Sequence, residues 1–119
     1  MLILPIVVTI LGTDYCIEER SKDEDTMLKS SDGYTDKTSH KIVLDALNNR
    51  DDSFVDHVDQ YKQQVLRHEI LHAFLFESGL GGNANYQING QEHPEMLIDW
   101  FAIQYPKIRK TFEEAGCAE

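Results

Sequence analysis

The sequence predicts an α+β fold in which a small, mostly antiparallel sheet of three strands packs against one long helix and a C-terminal helix. β-Branched residues cluster in Val7-Val8-Thr9-Ile10, which suits a pleated, half-buried strand. From Phe54 to Ser78 there is no Gly or Pro, so nothing in that stretch interrupts a helix. A second helical pattern, Leu97, Phe101, Tyr105, Ile108 and Phe112, repeats at three- and four-residue steps.

The chain of 119 residues is long enough for one core and reads as a single domain over 1–119. A formal net charge of −10 and a pI near 4.8 argue against nucleic acid and against an anionic membrane surface, because both would repel it. Cys16 and Cys117 are too few for a disulfide framework, and neither has a neighbour at metal-ligand spacing. They fit reduced thiols and a cytoplasmic location.

Met1 to Leu11 is almost wholly apolar. It has no basic leader and no small-residue cleavage site, and it is too short to span a bilayer. A buried strand is the better reading, running past Gly12 through Tyr15 and Ile17 with Gly12 as a bulge. The charged stretch from Glu18 to Asp32 lacks a period and reads as an exposed loop with a helical turn near Met27-Leu28. Two β-prone runs, Gly33 to Thr35 and Lys41 to Leu44, flank the polar segment Asp36 to Ser39 and predict a hairpin. His40 beside that hairpin and His57 near the next helix read as surface histidines.

Asp51, Asp52 or Ser53 can cap the long helix, and Asp52, Asp56 and Asp59 suit its positive end. Val58, Tyr61, Val65, His68 and His72 fall on one face, expected to look toward the core. Gly79-Leu80-Gly81-Gly82-Asn83 ends the helix. The Gly- and Asn-rich loop running to His93 is a candidate substrate-facing segment. Pro94 opens the last helix and Pro106 kinks or divides it.

The chemistry is concentrated in His68-Glu69-Ile70-Leu71-His72, an H-E-x-x-H sequence on the long helix. Residues four apart project from one side, so the two imidazoles can share one metal ion while Glu69 takes a proton from a bound water. Val65 to Phe76 is apolar nearly all round, and this predicts that the polar trio is buried and held by the ion. Zinc in hydrolytic sites takes three protein ligands and leaves one position open. Glu95, Asp99 and His93 are the candidates for the third. Glu95 and Asp99 are one turn apart, so one carboxylate can ligate while the other accepts the free N–H of a ligating histidine.

These residues resemble the gluzincin metallopeptidases, in which H-E-x-x-H is followed on a later helix by E-x-x-x-D, here Glu95-Met96-Leu97-Ile98-Asp99. The resemblance implies a zincin-like fold in which His68, His72 and Glu95 are zinc ligands, Glu69 is the general base and Asp99 orients a histidine. Arg67 to Leu80 and Glu95 to Trp100 are also similar to small phage- and prophage-encoded zinc peptidases, with Gly33-Tyr34-Thr35-Asp36 resembling their hairpin. A more distant likeness is to the ImmA/IrrE-like peptidases, which share the Phe101-Ala102 pair but have an acid where this chain has Leu97.

The function expected from the motif and the resemblance together is a zinc-dependent peptidase (a hydrolase) acting on a peptide or protein substrate. Tyr34, Tyr86 and His93 are candidate oxyanion donors. The alternative is a phage protein whose zinc only stabilises the fold, acting as a non-catalytic binding module. An acidic decoy of nucleic acid is a third reading, disfavoured because the acids are spread over loops and helix starts.

Overall fold

The computed structural model describes residues 2–47, 57–80 and 95–118; in the last segment the side chains of Glu95, Met96, Ile98 and Asp99 lie outside the description. Strands β1 (Ile6–Ile10), β2 (Thr13–Arg20), β3 (Gly33–Asp36) and β4 (Lys41–Asp45) are followed by helices α1 (Val58–Glu77) and α2 (Glu95–Ala115). The fold is α+β, with a sheet of four strands in the order β1-β2-β4-β3. The expected third strand is thus joined by a fourth, because the first apolar run is two strands and not one. Leu11 and Gly12 adopt φ of 49° and 90°, and two successive positive φ values turn the chain back on itself where a bulge was expected. Ile10 then faces Thr13.

Two of the pairings, β1 with β2 and β3 with β4, are antiparallel, whereas β2 and β4 run parallel. The segment joining β2 to β3 holds the expected helical turn, a 3-10 helix at Thr26–Lys29 capped by the Asp25 carboxylate, which accepts from the Met27 N–H. The predicted hairpin closes through Asp36, whose Oδ1 accepts from the Thr38 hydroxyl and the backbone N–H groups of Thr38 and Ser39.

Alternation along each strand sends one row of side chains to the helices. Val8, Ile10, Tyr15, Ile17, Ile42 and Leu44 form that row and meet Leu66, Ile70, Ala73 and Phe74 of α1 and Ile108 and Ala115 of α2. Gly33 permits the closest approach of α1, since a Cβ there would stand 2.8 Å from Val65 Cγ1. Near the other end of α1, Glu77 accepts from Tyr15 Oη at 2.7 Å and Thr13 Oγ1 at 2.9 Å. Arg67 Nη1 donates to the Cys117 carbonyl at 2.8 Å and ties α1 to the segment after α2.

Helix α1 ends as expected, with Gly79 at φ 87° just beyond Ser78. Helix α2 runs continuously through Pro106. Its apolar stripe keeps the predicted Ile108 and Phe112 but not Phe101 or Tyr105. Ile108, Thr111 and Ala115 are buried, whereas Phe101 and Tyr105 are 44% and 47% exposed, with their rings tilted against each other at 5.8 Å. Cys117 is buried and Cys16 half-buried, both as free thiols. Among the described residues no helix is long and apolar enough to cross a membrane. Helix α1 has His57 at its N-cap position, with no side-chain capping hydrogen bond, and not the predicted Asp51, Asp52 or Ser53; those residues, the acid Asp56, and the loop from Gly81 to Pro94 lie outside the described residues.

Candidate metal and catalytic site

The buried stripe of α1 consists of Leu66, Ile70, Ala73 and Phe74, with Glu69 at its margin. At 100° per residue, His68 and His72 fall on the other side of the helix. The burial expected of both imidazoles is therefore not found. His68 is exposed and His72 half-buried, and only Glu69 is withdrawn from solvent, at 7% exposure. The apolar run that suggested complete burial is divided between the core stripe and the partly exposed Leu71, Leu75 and Phe76.

The mutual geometry of the two histidines is close. Nε2 of His68 and Nε2 of His72 lie 3.1 Å apart, with ring centroids at 4.7 Å. With one nitrogen protonated this is a hydrogen bond. It also approaches the separation of two nitrogens on one tetrahedral zinc, roughly 3.3 Å for Zn–N bonds of about 2.0–2.1 Å. Two imidazoles are donors that zinc accepts, and their spacing is near that of two of its ligands; the further donor it needs is not among the described residues. The His72 ring stacks on Phe76 at 6.2 Å, and Lys37 Nζ from the hairpin turn stands 5.2 Å from the centre of the Phe76 ring. The turn thus brings a cation to the His72 side of α1, which no local sequence pattern signals.

Glu69 is held by the sheet. Thr35 Oγ1 lies 2.9 Å from Glu69 Oε1 and 2.9 Å from the Glu69 carbonyl, so its single hydroxyl proton is shared between two acceptors. Thr35 is on the same face of β3 as Gly33. Sequence reasoning missed it because only the tertiary approach of β3 to α1 brings the two together. A cleft of about 310 Å³ between β3 and α1 is lined by Gly33, Tyr61, Val65, His68 and Glu69 among others. Imidazole and carboxylate thus open on one space. Tyr61 Oη and Asp32 Oδ2 are 2.5 Å apart at its rim.

β3 is an edge strand. The Asp45 N–H donates to the Asp32 carbonyl. In the alternation of an antiparallel ladder, Tyr34 and Asp36 then bond to β4 while the backbone groups of Gly33 and Thr35 point away from it.

Tyr34, a candidate oxyanion donor, faces the other side of the sheet, where its hydroxyl donates to Asp25 at 2.5 Å. Burial, and then that hydrogen bond, push its pKa up to about 12. It does not reach the cleft. The backbone of α2 includes Glu95 and Asp99, whose side chains lie outside the description, as do His93 and Tyr86 entirely. Among the described residues no third His, Cys, Asp or Glu joins the histidine pair. Trp100 Nε1 and Gln104 Oε1, one turn apart on α2, are buried polar atoms with no hydrogen-bond partner among the described residues. His40 and His57 are exposed, as predicted.

No protein-family model matches the chain, and neither a curated protein nor a solved structure matches it.

Proposed function

We propose that the protein is a zinc-dependent peptidase of zincin-like fold, with His68, His72 and Glu95 as the metal ligands, Asp99 orienting one of the histidines and Glu69 as the general base. The observation that carries this reading is the 3.1 Å approach of the two Nε2 atoms beside a cleft that His68 shares with the buried Glu69 carboxylate. Zinc, when bound, supplies Lewis-acid polarisation of the scissile carbonyl and acidifies water. Glu69, fixed by Thr35, accepts the proton of the attacking water and passes it to the leaving amine. The outward backbone groups of Gly33 and Thr35 hold an extended substrate by strand pairing across the cleft.

The test uses zinc-loaded chain and a quenched-fluorescence peptide library. Glu69→Gln should retain the metal and lose roughly 10²–10⁴ of the hydrolysis rate, the usual size of a general-base contribution. Undiminished hydrolysis by Glu69→Gln rules out the assigned base. Zinc bound by four protein ligands with no hydrolysis would instead favour the non-catalytic binding module.

A further inference from the structure

The opposite edge of the sheet carries a second cleft. Because the Cys16 N–H donates across to the His40 carbonyl on the β4 side, the pair Val7 and Cys16 is a non-hydrogen-bonded one. The backbone groups of Val7, and by the same alternation those of Thr9, therefore point away from β2 and meet no strand among the described residues. Edge strands are ordinarily guarded by charge, proline or a bulge inside the strand. β1 has none of these between Ile6 and Ile10.

Beside this edge, between the β1–β2 turn and α2, lies a groove of about 610 Å³, within the range of about 300–1,000 Å³ common for ligand sites. Thr9 and Leu11 form one wall, the nearly inaccessible Phe74 contributes to the floor, and Lys107, Lys110 and Glu114 of α2 form the other wall. Neither lysine has an ion pair among the described residues, whereas their neighbour Arg109 lies 4.0 Å from Glu113. Two cations against one anion make the wall locally positive on a chain whose net charge is −10.

We propose that this groove binds an extended acidic peptide segment of another protein, which adds a strand to β1 and places its carboxylates against Lys107 and Lys110. The ladder supplies backbone pairing, the row of side chains that turns toward α2 is the acidic one selected by the lysines, and the alternate apolar row turns to the outer face of the sheet beside the exposed Val7. A second copy of this chain fits less well, because two molecules of charge −10 repel. The site lies at the far edge from the His68 cleft and is independent of any catalytic role.

The probe is a fluorescein-labelled peptide, acetyl-Thr-Glu-Val-Glu-Val-Glu-Thr-amide, titrated into the full chain and followed by anisotropy and by amide exchange at Val7 and Thr9. Expected are saturable binding, slowed exchange at both amides, about tenfold weaker binding to the Lys107→Gln/Lys110→Gln variant, and no change with Glu69→Gln. A peptide N-methylated at alternate amides should not bind, an arm that requires no change in the protein. Absence of binding at millimolar peptide, equal affinity for the Gln-for-Glu peptide, or a concentration-dependent doubling of mass through this edge would each overturn the proposal.

Discussion

The two edges of the sheet are built by opposite means. β3 is pressed onto α1, where the missing side chain of Gly33 admits Val65 and the Thr35 hydroxyl grips Glu69. β1 offers α2 its buried residues Val8 and Ile10 but leaves an uncharged backbone edge beside an open groove. Close approach at β3 positions a single carboxylate, whereas a groove of about 610 Å³ lies between β1 and α2. One small sheet thus holds a carboxylate tightly at one edge and leaves a groove at the other.

The largest effect should come from closing the approach at β3. Gly33→Ala inserts a methyl 2.8 Å from Val65 Cγ1 and 3.2 Å from the Val43 carbonyl oxygen, and overpacking of this kind costs about 1–3 kcal/mol. Urea denaturation checks it; an unchanged midpoint would mean that β3 and α1 are not in contact.

Next is Tyr15→Phe, which removes a hydrogen bond to Glu77 from the middle of the sheet and should cost about 1 kcal/mol. The Tyr15 hydrogen bond, more than that from Thr13, holds the Glu77 pKa below its ordinary value against the opposing effect of burial. A depressed folded pKa stabilises the fold above the unfolded value of about 4.3 and loses that contribution as pH falls through the folded value. The wild type should therefore lose more stability than Tyr15→Phe between neutral pH and the acid side of that window, measured by denaturation at several pH values.

The smallest effect is expected at β1. Val7→Pro removes an N–H that faces away from β2, so stability should change by no more than about 0.5 kcal/mol. A large loss would show that the ladder has the other register.

The elements legible in the sequence were those with local signals. The uninterrupted run to Ser78, the hairpin around Asp36 and the helical turn at Met27-Leu28 all stand where periodicity and turn chemistry put them. The β1–β2 turn was missed because Leu11, an unusual residue at φ 49°, carries no turn signature, and one apolar run merged with the next. The parallel pairing of β2 with β4 depends on a crossover that no local pattern encodes. On α2, the period placed Ile108 in the core correctly, but apolar residues occur on both sides, so it also favoured Phe101 and Tyr105 over the buried Thr111 and Ala115.

Of the candidate site, the spacing of His68 and His72 predicted their convergence. Their exposure followed instead from which stripe of α1 meets the sheet, a tertiary choice made by Leu66, Ile70 and Phe74. The grip of Thr35 on Glu69 is tertiary in the same sense.

Zinc titration of the purified chain, with X-ray absorption at the metal edge, tests the central assignment most directly. Expected are one zinc per chain, two imidazole nitrogens in its coordination sphere, and loss of uptake in His68→Ala and in His72→Ala. Failure to take up zinc from excess, or uptake that survives both substitutions, would contradict it.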